Sequence, residues 1–132
     1  MIGLDTNILV RYFAQDDEKQ STLANERIEQ LTIEDPGFIT LVCIVELVWV
    51  LKSCYQADRN QIAIILDQLL HTQEFIIENM ETVFHALKLY SSINADFADC
   101  LIDRSAKAAG CSETITFDKT AAALVGMKLL GS

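Results

Sequence analysis

The chain has little proline or glycine: one Pro and five Gly in 132 residues leave no room for a flexible linker or a low-complexity segment. This length fits a single domain over residues 1–132. The longest apolar run, residues 41–51, is interrupted by Glu46 and is much shorter than the about 20 residues of a membrane helix. We therefore expect no membrane contact. The first residues lack a basic segment, so we also expect no secretory signal.

Disulfide and zinc spacings are also missing. The four cysteines, Cys43, Cys54, Cys100 and Cys111, contain no Cys-x-x-Cys pair, and the two histidines complete no zinc pattern. Free and mostly buried thiols are therefore expected. Such thiols favour a reducing, cytoplasmic compartment.

Basic residues are few: ten Lys and Arg stand against nineteen Asp and Glu, for a net charge of −9. Proteins hold nucleic acid non-specifically by releasing its counterions, and this requires clustered Lys and Arg. The composition therefore excludes a broad basic nucleic-acid surface and predicts weak non-specific affinity for RNA.

Short apolar runs alternate with longer helical patterns along the chain. Strands are predicted at 1–4, 38–40, 74–77, 113–117 and 127–130. Helices are predicted at 7–14, 18–33, 41–55, 60–71, 81–91 and 119–125, and another runs to residue 109 from either Asn94 or Asp96. The alternation predicts an α/β domain whose central, mostly parallel sheet of four to five short strands is flanked by helices. Such sheets bind ligands beyond the carboxyl ends of their strands.

Acidic residues occur at or near these strand ends. Asp5 follows the first predicted strand and Asp118 the fourth, although each could be a plain helix N-cap. Asp96 and Asp99 have the spacing of a capping box, which is an equally simple explanation for that pair. Asp103 continues the same helical face and fits a solvated stripe.

Glu46 lies among apolar residues on every side of the helix predicted at 41–55, which predicts that it is buried. An unpaired buried carboxylate costs several kcal/mol or becomes neutral, so Glu46 needs a partner within the fold or a metal ion. Trp49 and Tyr55 are predicted to be core residues rather than platforms on which bases stack.

Four of the acids, Asp5, Glu46, Asp99 and Asp118, fall at strand ends or in the early turns of the helices that follow. In a parallel sheet these positions lie at one edge, where the carboxylates repel one another unless cations neutralise them. Oxygen ligands without His or Cys favour Mg²⁺ or Mn²⁺. Such a site suits phosphodiester hydrolysis, since the metal lowers the pKa of a water and stabilises the leaving oxygen.

The four acids lie in four short sequence motifs, and the order of these motifs along the chain is typical of a known protein family. The motifs are Leu4-Asp5-Thr6-Asn7-Ile8-Leu9-Val10-Arg11-Tyr12-Phe13, Val45-Glu46-Leu47, Asp96-Phe97-Ala98-Asp99-Cys100-Leu101-Ile102 and Thr116-Phe117-Asp118-Lys119. With them the chain resembles the PIN-domain ribonucleases, and among these the VapC toxins of toxin–antitoxin pairs. The resemblance covers nearly the whole chain. Each motif is weak alone, but all four in this order are specific.

The resemblance implies a PIN-like three-layer sandwich and assigns roles to particular residues. The catalytic, metal-binding acids would be Asp5, Glu46, Asp99 and Asp118, with Asp96 as a possible fifth ligand. Supporting polar residues would be Thr6, Asn7, Thr116 and Arg11. The sequence departs from the family pattern at Leu41 and Cys100, neither of which is in the acid set.

The resemblance also implies an activity and partners. Such proteins cleave RNA, often tRNA or rRNA, with Mg²⁺ or Mn²⁺, form homodimers and are silenced by a VapB-type antitoxin. No linear motif encodes the RNA target, because loops and single strands are recognised by shape and stacking.

Two other functions remain open on the sequence. A phospho-accepting receiver module would also be acidic and bind Mg²⁺, but it needs paired acids directly after its first strand, whereas Asp16 and Asp17 come later. A non-catalytic binding protein on the PIN scaffold would share the fold without affinity for metal.

Overall fold

The computed structural model describes residues 1–131. In this part of the chain the strands are β1 (Ile2–Gly3), β2 (Gly37–Ile39), β3 (Phe75–Ile77), β4 (Ile115–Thr116) and β5 (Lys128–Leu129). The α-helices are α1 (Thr6–Ala14), α2 (Glu18–Glu29), α3 (Leu41–Cys54), α4 (Arg59–His71), α5 (Met80–Ser92) and α6 (Phe97–Ala108). A short π-helix, Ala121–Val125, precedes β5.

The described residues form two compact units, Met1–Glu78 and the part from Asn79 onward. In the first unit, β1, β2 and β3 make a parallel sheet in that order, with Ile2 opposite Gly37 and Phe38 opposite Ile76. In the second unit, β4 and β5 pair in parallel. The predicted α/β class, with parallel strands flanked by helices, is confirmed. The hydrogen-bonded strands form two ladders, where the sequence predicts one sheet.

Gly37 shows how closely the first unit is packed at the start of β2. A Cβ atom there would lie 2.7 Å from Cδ1 of Leu4 and 3.0 Å from Cδ1 of Leu31. Leu4 and Leu31 are both buried, so neither side chain has free space into which it can move. A larger residue at Gly37 would therefore force these two leucines to repack. The pairing of β1 with β2 positions Asp5 beyond β1.

Helix ends follow capping chemistry. Thr40 is the predicted N-cap of α3 and accepts a hydrogen bond from the Cys43 amide at 3.1 Å. The N-cap of α1 is Asp5, one residue before the Thr6 predicted, because the Asp5 carbonyl accepts the first helical hydrogen bonds. Helix α2 ends at Glu29 rather than near residue 33, since the chain turns there to bury Leu31.

Helix α3 is apolar on all sides but buries only one of its faces. The buried face consists of Cys43, Ile44, Leu47, Val48 and Leu51. On the opposite side Val42 is 67% exposed and Trp49 is 63% exposed. The prediction that Trp49 is a core residue is therefore wrong, and Tyr55 is only half-buried.

The cysteines are free, with Cys43 and Cys100 buried and Cys54 and Cys111 exposed. Half rather than most of these thiols are therefore buried. No helix within residues 1–131 has the length and apolarity needed to cross a bilayer.

Candidate active site

Asp5 stands at the carboxyl end of β1 and at the N-terminus of α1. Its backbone carbonyl accepts from the amides of Ile8 and Leu9, but its side chain makes no capping hydrogen bond and is exposed. A plain N-cap role therefore does not explain the carboxylate. It is available for a ligand, in the positive field of the helix N-terminus.

Thr6 links α1 to Glu46 on α3. The Thr6 side chain is buried, and its hydroxyl donates to Oε1 of Glu46 at 2.6 Å. Glu46 itself is exposed, so the predicted burial of this acid is wrong. Because α3 is apolar on all sides, the sequence does not indicate which face is exposed to solvent, and Glu46 lies on that exposed face. The hydrogen bond fixes one carboxylate oxygen while the other makes no hydrogen bond within residues 1–131.

In the second unit, Asp96 and Asp99 lie at the start of α6. Asp96 is the N-cap residue, yet its side chain makes no capping hydrogen bond, so the pair does not form a capping box. Asp99 is half-buried in the first turn. Burial raises the pKa of the Asp99 carboxyl, and the nearby charges of Asp96 and Asp118 raise it further. These three acids therefore interact electrostatically.

Asp118 follows β4 and is held by its own turn. Its Oδ1 accepts from the amides of Thr120 at 2.8 Å and Ala121 at 3.1 Å, while its own amide donates to the Thr116 hydroxyl at 3.0 Å. The simple capping explanation is thus correct for one oxygen of Asp118. Thr116 supports the turn that holds Asp118, and Oδ2 stays free of hydrogen bonds within the described chain.

Arg11 belongs to a different network. Its guanidinium donates from Nε to Gln20 at 2.6 Å and from one terminal nitrogen to Asp16 and to the Tyr55 hydroxyl, both at 3.2 Å. The Tyr55 hydroxyl donates to Asp16 at 2.7 Å. Arg11 thus joins the ends of α1 and α3 to the start of α2 and contacts none of the predicted acids. Asn7 is exposed and makes no hydrogen bond in the part of the chain that the structure describes.

Asp103 is 1% exposed rather than part of a solvated stripe. The ammonium of Lys107, four residues on, lies 2.9 Å from Asp103 Oδ2. The spacing of this pair along the helix is a signal from which its contact could have been predicted.

The predicted acids lack cationic partners. In residues 1–131 none of Asp5, Glu46, Asp96, Asp99 and Asp118 forms an ion pair with Lys or Arg. Nor does any group of three or more His, Cys, Asp or Glu side chains in this range form a ready metal-binding cluster. Mg²⁺ does not require one, because it keeps several waters and is often bound by one or two carboxylates. Free oxygen donors and uncompensated negative charge fit such an ion.

The sequence defines the class of protein. Residues 2–126 match the sequence model of the PIN domain, and the chain therefore belongs to the PIN domain family. The chain is also similar to a VapC ribonuclease from Aquifex aeolicus (strain VF5). The two are 30% identical over 117 residues, which cover 88% of this chain and 86% of that protein.

Proposed function

We propose that this chain is a metal-dependent endoribonuclease and the toxin of a type II toxin–antitoxin pair. The observation that carries the proposal is the state of Asp99, a half-buried carboxylate beside two other acids that forms no ion pair with Lys or Arg in residues 1–131. Repulsion between neighbouring carboxylates disfavours their charged forms unless a cation is bound beside them. The similarity to a protein named VapC ribonuclease supports RNA as the substrate and a toxin role.

The proposed metal ligands are Asp5, Glu46, Asp99 and Asp118, with Asp96 as an additional or water-mediated ligand. All are hard oxygen donors without ion-pair partners in residues 1–131, which suits Mg²⁺ or Mn²⁺. A bound metal would lower the pKa of a water molecule and neutralise the negative charge that develops on the phosphate.

The other residues orient these acids. Thr6 fixes one oxygen of Glu46, and the amides of Thr120 and Ala121 fix one oxygen of Asp118. Each carboxylate therefore presents its remaining oxygen in a restricted direction, which reduces the reorganisation needed for catalysis. In-line hydrolysis with departure of the 3′ oxygen leaves a 5′-phosphate and a 3′-hydroxyl.

The proposal includes partners. The substrate is a structured RNA such as tRNA or rRNA, the regulator is a VapB-type antitoxin, and the active form is a homodimer. The small number of basic residues implies that RNA is selected by shape rather than by charge.

Cleavage of a mixed tRNA and rRNA preparation tests the activity. Wild-type protein should cut RNA in Mg²⁺ or Mn²⁺ and stop in EDTA, and Asp5→Asn should lose about a hundredfold or more in rate. Glu26→Gln, which neutralises an exposed acid of α2 outside the proposed set, is the matched control and should cleave normally. Undiminished cleavage by Asp5→Asn would contradict the proposal.

Calorimetry with Mn²⁺ separates the enzyme from a non-catalytic protein of the same fold. The wild type should release or absorb heat on binding, and Asp99→Asn should bind at least tenfold more weakly. A wild-type chain without affinity for Mn²⁺ would instead be a binding protein.

A further inference from the structure

Trp49 has an unusual position for a large aromatic residue. It is 63% exposed on α3, and within residues 1–131 its indole makes no hydrogen bond and no ring contact. Burying a tryptophan is strongly favourable, so the fold leaves a large apolar side chain in water without an evident structural benefit. Tryptophan is enriched among the residues that contribute most to binding, so an exposed tryptophan is a candidate for a binding position.

Trp49 follows Glu46 by three residues on the same face of the helix. Residues three apart are neighbours on a helix surface, with Cβ atoms about 5–6 Å apart. The base of a nucleotide next to a phosphate bound near Glu46 is thus within reach of the indole. The helical face that carries both residues also carries Val42 and Ser53, at positions i−4 and i+7 from Glu46.

We infer that Trp49 binds an unpaired base of the RNA substrate by stacking on it, next to the scissile phosphate. The inference rests on the proposed ribonuclease function and adds a substrate-binding residue to it. Stacking is tolerant of sequence, because every base has an aromatic face. It also favours single-stranded or looped RNA, whose bases are accessible.

The exposed acid on this face favours a substrate contact over a protein contact at Trp49, and the net charge of the chain makes such a contact necessary if RNA is bound. With a net charge of −9, the protein gains little affinity for RNA by counterion release and needs another source of binding. The face around Trp49 is not a continuous apolar patch, since the exposed, charged Glu46 lies within it. The cores of protein–protein interfaces are depleted of charged residues, so this face suits a substrate better than a second copy of the chain.

The second unit contains the same pairing of an acid with an exposed aromatic residue. Phe117 is 81% exposed and directly precedes Asp118. Exposed aromatic side chains thus accompany a proposed metal ligand in each unit separately. This recurrence is expected if bases flank the bound phosphate, and the folding of either unit does not require it.

Fluorescence tests the inference directly, because Trp49 is the single tryptophan of the chain. The 132-residue chain is titrated with short single-stranded oligoadenylate and oligouridylate, both in EDTA and, on ice, in Mg²⁺. A fully paired RNA duplex of equal length is the comparison. Stacking predicts quenched emission with the single strands in at least one buffer and much weaker quenching with the duplex. Unchanged emission with every RNA overturns the inference.

Kinetics of Trp49 variants supply the second measurement. Trp49→Ala should raise KM for a single-stranded substrate about tenfold, and Trp49→Phe should restore most of that loss because it keeps an aromatic ring. Ile33→Ala removes another apolar side chain that is also 63% exposed and should cleave like the wild type. If Trp49→Ala also cleaves like the wild type, the stacking inference fails while the ribonuclease function stands.

Two further outcomes are distinguishable. If the wild type cleaves no RNA, the proposed function fails, and the inference fails with it. If Trp49 emission shifts as protein concentration rises without RNA, and the oligomer weakens in Trp49→Ala, the indole lies in a contact between copies and the inference is overturned.

Discussion

The proposed acids are held differently in the two units of the chain. In Met1–Glu78, Glu46 is exposed and fixed by a hydrogen bond from Thr6, and Asp5 is exposed at a helix N-terminus. In the second unit, Asp99 is half-buried and repelled by Asp96 and Asp118. The contrast is clearest between Glu46, which a hydrogen-bond donor orients, and Asp99, whose carboxyl lies beside two other acids. Similar acids should respond differently to neutralisation in the two units.

Neutralising Asp99 should have the largest effect and should separate activity from stability. Asp99→Asn should lower the cleavage rate about a hundredfold or more, because a proposed metal ligand is lost. It should also raise Tm by about 1–3 °C in EDTA, since the cost of the half-buried charge and its repulsion from Asp96 and Asp118 both disappear. Cleavage assays and thermal melts on the same preparations measure both.

Glu46→Gln is the counterpart from the first unit. It should lose activity comparably but leave Tm within about 1 °C, because the amide oxygen still accepts from Thr6 and the residue is exposed. Equal Tm changes in the Asp99 and Glu46 variants would show that the two units do not differ as described.

Lys107→Met tests how much the ion pair between Lys107 and the buried Asp103 stabilises the fold. It leaves the Asp103 carboxylate buried without its partner, which should reduce the free energy of unfolding by about 2–3 kcal/mol. The double change Asp103→Asn with Lys107→Met removes the stranded charge and should recover part of this loss. Chemical denaturation measures the effect, and a double variant as unstable as the single one would contradict it.

Thr6→Val tests the donor of the first unit. The buried hydroxyl is lost while the shape is kept, so Glu46 should be less ordered and cleavage should fall about tenfold, with a loss of stability of about 1 kcal/mol. Thr6→Ser keeps the hydroxyl and is the control. An unchanged rate in Thr6→Val would mean that the hydrogen bond does not position Glu46 for catalysis.

Tyr55→Phe should have the smallest effect, and one that depends on pH. The hydrogen bond from the Tyr55 hydroxyl is the largest cause that lowers the pKa of the Asp16 carboxyl. A backbone hydrogen bond and the Arg11 charge add to it against the opposite effect of burial. A lowered pKa stabilises the fold above the unfolded value of about 3.9, and this stability is lost as pH falls through the folded pKa. The Tm difference between wild type and variant should be largest near neutral pH and shrink below about pH 4.

Tyr12→Phe is the control for that experiment, because the Tyr12 hydroxyl makes no hydrogen bond in residues 1–131. Its Tm difference from the wild type should not change with pH in the same range. A Tyr55→Phe difference that grows on acidification would have the wrong sign.

Local patterns in the sequence predict much of this fold. The alternation of short apolar runs with helical periods predicts five strands and the helices, and Thr40 is predicted to cap α3 because capping depends on neighbouring residues. The PIN family is likewise predicted from short motifs, and the sequence match confirms it. The use of the acids as one metal site stays a prediction.

Features that depend on how the helices and strands pack against one another could not be predicted from the sequence. Helix α3 is apolar all round, so hydropathy alone predicts that Glu46 and Trp49 are buried, yet both lie on its open face. The Arg11–Tyr55 hydrogen bond joins residues 44 positions apart, and no local rule predicts such a contact. Burial on one face and long-range polar contacts are set by tertiary packing.

The most direct test of the central claim is the rate of RNA cleavage as a function of Mg²⁺ concentration, measured for the wild type and Asp99→Asn. Metal-dependent hydrolysis by these acids predicts a wild-type rate that is zero in EDTA and saturates with Mg²⁺. It also predicts that the Asp99→Asn curve moves to at least tenfold higher Mg²⁺ with a much lower maximum. Cleavage that persists in EDTA, or identical curves for the two proteins, would contradict it.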